Sequence, residues 1–569
     1  MTQRPYRDTG QLGHLTDRTL HCTSVNELEY DVTSPPSVRG MSFTILHTQL
    51  VDRGAVLPED CLRVADGRIA AVGGPDVVQP GDTVIDGSGT TLLPGLIDSH
   101  VHLIPGCTQL AATFGVTTQF DQFSMPEVSA QETPRSSFFT SSIGATVPGG
   151  HPTIAFPPIP YATSPADAKQ FVADRIAEGA DHLKLIYDDG SGAGMNLPTL
   201  DEPTLRALID AAHASGLTVV AHVSTAASAV EVVQCGADVL AHAPSDLMSP
   251  QEIEAVASSG AAVIATLDIV DGYTGPSGRL PLQDEPELMQ RMPARWRRVL
   301  DQQSRRWMPP QPPDGAAARA NTLALLRAGV PVLAGTDAPN PGMLFGASLH
   351  RELGHLVRAG LTPAEALVAA TSAPADAFKL TDRGRLAVGT RADLLMVDGD
   401  PLLDISATQR VRRTWVGGEV VVPEQYAGSA TELAGVQFLH QTTARIATAL
   451  KELWPGLPEP TDVVREDGEV LGRVVPMAGG WLPTTVFGAA LGPVAERDAA
   501  VQTVETEGLA SLSELWWART DGPEWQEAQL VEAQPDRVRL RWNDPLLDQP
   551  PSGRWYALTD VDLERTRPN

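Results

Sequence analysis

The sequence predicts an α/β protein in three parts: a barrel of repeated strand and helix units, a small β-sandwich built by both flanks of that core, and a C-terminal α+β domain. Three observations carry this. From residue 92 to 382 short apolar runs alternate with helical stretches; on either side lie short β-rich runs punctuated by tight turns; and after about residue 426 the texture changes. Seven of the ten tryptophans (Trp454, Trp481, Trp516, Trp517, Trp525, Trp542, Trp555) fall in that last quarter. A chain of 569 residues is also too long for one ordinary hydrophobic core.

Residues 1–40 are polar, carry the Pro35-Pro36 pair and show no period, which reads as a disordered leader. Met41, just ahead of the first strand-like run, is a candidate natural start. Residues 41–91 hold FTILHTQLV, CLRVADGRIAAVG and DTVID, with Asp66-Gly67 as a two-residue hairpin candidate. RADLLMVDGDP and VRRTWVGGEVVV repeat that texture in residues 383–425, so the two stretches are expected to form one composite sandwich.

Between them come TLLPGLIDSH, GVTTQFD, DHLKLIY, LTVVAHV, DVLAHA, AAVIATL and VPVLAGTD, interleaved with helical segments such as DEPTLRALIDAAHASG. Nearly continuous apolar strands are expected when helices cover one face of a sheet and a packed interior fills the other. Alternation of this length predicts a (β/α)8 TIM-type barrel over 92–382, with an open doubly wound sheet left open by pattern alone. Residues 268–314 (GYTGPSG, RWRRVL, PPQPPDG) exceed the ~2 to 6 residues of an ordinary connection and read as a lid or rim insertion. Residues 426–569 read as an accessory domain without a catalytic motif.

The net charge of −28 argues against nucleic acid or an anionic membrane as partner, since both need a basic face. Four widely spaced cysteines, Cys22, Cys61, Cys107 and Cys235, fit neither a zinc cluster nor a disulfide framework, so a reducing, cytoplasmic setting is expected. No run of ~18 apolar residues and no basic-then-apolar leader occurs, which predicts a protein without membrane span or secretion signal.

The chemistry concentrates at predicted strand ends. In PGLIDSHVH, His100 and His102 are two apart, so on a strand both imidazoles share a face, an arrangement suited to a divalent metal. Lys184 sits inside the apolar strand DHLKLIY, where an ammonium pays for desolvation unless it is paired or neutral. It either pairs with Asp188 or Asp189, or snorkels to the rim, or, as a neutral amine, adds carbon dioxide to become a carbamate that bridges two cations. His222 closes LTVVAHV, His242 closes DVLAHA and Asp337 ends VPVLAGTD. Each alone has an ordinary structural reading, a core histidine or a helix cap; six at strand ends, where barrel active sites gather, point to catalysis. His151 in a glycine-rich loop and Tyr187 after the lysine strand are candidate substrate contacts. His350 and His355, five apart on a helix, are left as surface or packing residues. Arg291, Arg295, Arg297 and Arg298 suit either an anionic substrate or a solvated amphipathic helix.

With these residues the chain resembles the amidohydrolase superfamily, whose signature is PGxIDxHxH on the first barrel strand and an aspartate on the eighth. GVTTQFD and GRLAVGTRADLLMVDGDPL are similar to it as well, so the resemblance covers roughly residues 43–425. It implies that His100, His102 and Asp337 hold one divalent ion, expected to be zinc, that His222 and His242 hold a second, and that N6-carboxylated Lys184 bridges them, as in the prolidase-like and hydantoinase-like members. It implies hydrolysis of an amide-like carbon–nitrogen bond in a small molecule or dipeptide by a metal-bridged hydroxide, with Asp337 as the catalytic proton carrier. Mononuclear deaminases of the superfamily place a glutamate three residues after the fifth-strand histidine; Thr225 stands there. Deamination of a heterocycle is therefore the second reading, and a non-catalytic assembly protein the third. A homo-oligomer is compatible with the sequence.

Overall fold

The computed structural model describes residues 42–132, 134–152, 159–274, 280–303, 313–453, 459–477, 480–520, 525–535, 537–543, 549–558 and 560–565. The leader 1–40 and Met41 lie outside the described residues.

The fold is TIM-barrel-like. A first, second and third strand (Leu96–Val101, Val116–Asp121, Ser137–Thr140) pair in parallel. A fourth to eighth (His182–Ile186, Thr218–His222, Val239–Ala241, Ala262–Ile264, Val332–Leu333) form a second parallel sheet in chain order. Parallel bridges Ala145–Leu185 and Val101–Ala338 join the two sheets at both seams. Across the second seam Ser99 N–H donates to Ala334 O at 3.0 Å and Asp337 N–H to His100 O at 2.8 Å.

Both faces of these strands are apolar, yet the two faces belong to different cores. Val220, Val239, Ala241, Ala262, Ile264 and Leu333 form one cluster, against which Ala373, Ala377 and Phe378 pack. Val219, Ala221, Leu240, Val263 and Ala334, the alternate residues, join the large cluster shared with the helices. Strand alternation sorts them, and it also places Lys184, whose register partner is Val220, on the inner side.

The flanks share a sheet. Leu394–Asp398 pairs antiparallel with Thr90–Pro94 inside a six-stranded sheet that also includes Gln49–Asp52 and Val411–Val416. Phe43, Ile45, Leu62, Ile69, Leu92, Leu394, Met396 and Trp415 share one hydrophobic cluster. Asp66 and Gly67, at φ 51° and 73°, close the hairpin between Cys61–Ala65 and Arg68–Gly73, the left-handed pair that a two-residue type I′ turn requires.

The described parts of 268–314 are helical (Pro286–Arg291, Ala294–Gln303), and Leu282, Leu288, Met292, Trp296 and Leu300 are buried in the main cluster. Among the described residues its arginines form neither an anion-attracting patch nor a solvated face. Arg291 donates to the carbonyls of Thr113 and Val411, Arg295 pairs with Glu432 at 3.2 Å, Arg297 donates to the carbonyls of Met289 and Met292, and Arg298 is buried. Arg291 and Arg295 tie the segment to its surroundings, and Arg297 braces it internally, because these guanidiniums meet backbone or carboxylate oxygens as they are desolvated.

Beyond it, helix Ala430–Leu453 leads to a three-stranded sheet packed by helix Arg497–Glu507, then to a five-stranded antiparallel sheet around Trp516 and Trp542. Among the described residues no helix is long and apolar enough to cross a membrane.

Candidate metal centre

The first and eighth strands are stitched by Asp98. Its carboxylate accepts from Thr336 N–H at 3.0 Å, Thr336 Oγ1–H at 2.7 Å and His100 N–H at 3.2 Å. The eighth strand therefore delivers Asp337 directly to the two histidines. Asp337 Oδ1 lies 2.9 Å from His102 Nε2 and 3.3 Å from His100 Nε2, and the ligand atoms of the three residues lie within 4.8 Å of one another.

A second pair of nitrogens converges beside them: His242 Nε2 is 3.1 Å from His222 Nδ1. The His100 and His242 rings stack with centroids 4.7 Å apart, so the four histidines form one cluster. The outward nitrogens of three are occupied. His102 Nδ1 meets Phe123 O at 3.0 Å, His242 Nδ1 meets Thr266 Oγ1 at 2.7 Å, and His222 Nε2 meets Asp188 Oδ2 at 3.2 Å. Such bonds set which nitrogen faces the centre. His242, Thr266 and Asp337 have φ of 126°, 48° and 59°, rare for side-chain-bearing residues and a form of strain that gathers at functional sites.

Lys184 is 1% exposed, and its Nζ has no hydrogen-bond partner among the described residues. Burial pushes its pKa down to about 7, against the opposing pull of the Asp337 and Asp121 carboxylates. Pairing with Asp188 or Asp189 does not occur: Asp188 is taken by His222 and Ser224, and Asp189 by the backbone of Ser191. Burial raises the Asp337 carboxyl, but the hydrogen bond from His102 and the charges of His242 and Lys184 outweigh it and hold it at about 2. Burial also drives His100 far below an ordinary imidazole.

His151 is brought to the cluster, its ring centroid 4.8 Å from that of His222. Tyr187 is not: its hydroxyl donates to Glu231 at 2.6 Å, on the outer helix Ala226–Gln234. Thr225 caps that same helix, accepting from Ser228 N–H. His350 and His355 are buried packing residues, the former bonded to Phe114 O at 2.8 Å and the latter 3.2 Å from Asp268.

Sequence reasoning missed Asp98, Asp121 and Thr266. Asp98 had a readable signal, being the aspartate two residues before His100 in PGLIDSHVH. Asp121 ends the second strand and accepts from Leu103 N–H at 3.1 Å and Ser124 Oγ–H at 2.6 Å, fixing the turn after His102. Nothing in the sequence marks Thr266.

The amidohydrolase family matches residues 91–421, more than half of the chain. An uncharacterized protein of Mycobacterium tuberculosis is 27% identical over 368 residues, covering 61% of this chain and 89% of its own. The imidazolonepropionase of Salinispora arenicola is 27% identical over 387 residues, covering 60% and 86%. Among solved structures, a Xaa-Pro dipeptidase with bound methionine in its active site shares the fold at a TM-score of 0.54 and 19% identity, over 67% of this chain and 99% of that one.

Proposed function

The chain belongs to the amidohydrolase family and is a hydrolase acting on carbon–nitrogen bonds; from that premise we propose that it is a binuclear metal-dependent enzyme that cleaves an amide-like bond in a small molecule or dipeptide. One observation carries the reading: inward-facing nitrogens of four histidines and the Asp337 carboxylate gather around a buried lysine whose amine has no partner among the described residues. A buried polar atom without a partner costs roughly 1–3 kcal/mol, so its retention calls for a ligand.

His100, His102 and Asp337 would hold one divalent ion and His222 and His242 the other. Lys184, its pKa lowered by burial, would add carbon dioxide through the lone pair of its neutral amine, lose one proton and bridge both as a carbamate. Zinc suits the nitrogen-rich donor set. When bound, the ions supply Lewis acidity that polarises a carbonyl and lowers the pKa of water. Asp337 would take the proton of the attacking water and return it to the leaving nitrogen, a role for which its fixed place beside His102 positions it. His151, beside His222, is the residue we place against the substrate; Tyr187, held by Glu231, has no part. Thr225 being a helix cap leaves the deaminase reading without its carboxylate.

We read the two sheets bridged at both seams as one closed (β/α)8 barrel, residues 41–91 with 383–425 as a composite sandwich, and 426–569 as an accessory domain. A cytoplasmic setting is supported by the buried free thiols of Cys61, Cys107 and Cys235.

The test is metal content per chain for the wild type and Lys184→Ala, with a panel of dipeptides, N-acyl amino acids and cyclic amides assayed for amine release. Near two equivalents, fewer in the variant, together with cleavage of at least one amide class, is expected. One equivalent with ammonia release and ring retention would replace this reading by the deaminase; no bound metal and no cleavage would end both.

A further inference from the structure

Asp188 follows the fourth strand by two residues and is weighed from sequence only as a partner for Lys184. The register that pairs Ile186 with His222 continues one residue further, Tyr187 N–H donating to His222 O at 3.1 Å, so Asp188 arrives beside the His222 ring. Its Oδ2 lies 3.2 Å from His222 Nε2, with the two side chains only 11% and 14% exposed. Oδ1 accepts from Ser224 Oγ–H at 2.8 Å and Gly190 N–H at 2.9 Å, while Asp188 N–H donates to Thr199 Oγ1 at 3.1 Å. The carboxylate is thus held at both oxygens and by its own backbone.

We propose that Asp188 is the positioning residue of the second metal locus: it fixes the His222 ring and tautomer so that Nδ1 faces His242 Nε2, and it ties that locus to the loop 188–199. An ionised carboxylate can only accept, so a single ring proton on His222 is directed to Nε2 by Asp188 and the lone pair is left on Nδ1, 3.1 Å from His242 Nε2. A carboxylate behind an imidazole also raises its basicity toward a metal. Ser224 and Gly190 leave the carboxylate no freedom to turn away, which is why the ring is aimed rather than merely paired. This rests on the binuclear reading.

The experiment compares full-length wild type, Asp188→Ala and Asp188→Asn by zinc titration and, in the metal-free protein with 15N-labelled histidine, by long-range 1H–15N spectra of His222. Expected are a wild type with an Nε2–H tautomer and two zinc ions, and an Asp188→Ala protein that keeps the first ion, binds the second about 10- to 100-fold more weakly and shows mixed tautomers. Asp188→Asn, which retains an accepting oxygen, should recover the tautomer and part of the affinity; it also serves if the alanine variant fails to fold. Two zinc ions at wild-type affinity in Asp188→Ala with an unchanged His222 tautomer would overturn the assignment. A wild type that binds no zinc but shows the Asp188-dependent tautomer would overturn the binuclear reading and leave the positioning of His222 standing.

Discussion

Asp337 and Thr266 both sit at strand ends with left-handed backbone, and each is held by a histidine. They answer different questions. Replacing Asp337 by Asn removes the proton carrier while keeping the shape, so kcat should fall by about 10²- to 10⁴-fold with a smaller change in KM, read by steady-state kinetics on whichever amide the panel identifies. Thr266→Val deletes the oxygen beside His242 Nδ1 and leaves a buried ring nitrogen unmet. Urea unfolding of the metal-free protein should show a loss of about 1–3 kcal/mol; an unchanged midpoint would mean that His242 finds another partner. His100, His102, Lys184, His222, His242 and Asp337 were legible because polar groups inside or ending apolar strands are conspicuous. Thr266 was not, since a threonine at a strand end is unremarkable until a histidine from the neighbouring strand meets it.

Helix Ala347–Ala359 shows what an element hides from its own sequence. ASLHRELGHLVRA leaves its histidines as either surface or packing residues, and the structure decides for packing: His350, Arg351, Glu352 and His355 are all buried. Asp268 N–H donates to Glu352 Oε2 at 2.8 Å, and Arg351 bonds Asp268 at 2.9 Å and Glu285 at 2.6 Å, so the polar stripe faces the helix Leu267–Thr274 rather than water. Burial pushes the Glu352 carboxyl up to about 8. The native state then holds a proton that the unfolded chain releases above its ordinary value of 4.5. The contribution of this group to stability is therefore complete below pH 4.5 and is lost as pH rises through about 8. Glu352→Gln should flatten the pH dependence of the denaturation midpoint across that window; identical wild-type and variant slopes would show that Glu352 is ionised in the fold. In the strands, by contrast, the periodicity of LTVVAHV and VPVLAG was readable as buried strand, but not which residues face the interior, because both faces are apolar.

At the scale of the molecule, helix Ala430–Leu453 meets the loop that follows His102. A Cβ at Gly435 would lie 2.5 Å from Pro105 O, Trp296 Nε1–H donates to Tyr426 Oη at 3.0 Å, and Val436 and Leu439 enter the main core. The start of the C-terminal region is thus packed against the turn that carries a candidate ligand. Gly435→Leu should force helix and loop apart, costing about 1–3 kcal/mol of overpacking and lowering Tm; zinc retention should fall with it. Full zinc retention at a lowered Tm would show that the helix supports the fold without supporting the site.

The sequence by itself determined the strand–helix alternation, the order of candidate ligands along the chain and the family signature, because those depend on local periodicity and on residue types at fixed spacing. Only the tertiary structure decided that Asp337 meets His100 and His102, that Asp188 serves His222 rather than Lys184, that Tyr187 turns to Glu231, and that Arg291 and Arg297 bind carbonyls. Those outcomes depend on which neighbours desolvate each polar group, and those neighbours lie up to hundreds of residues away in the chain.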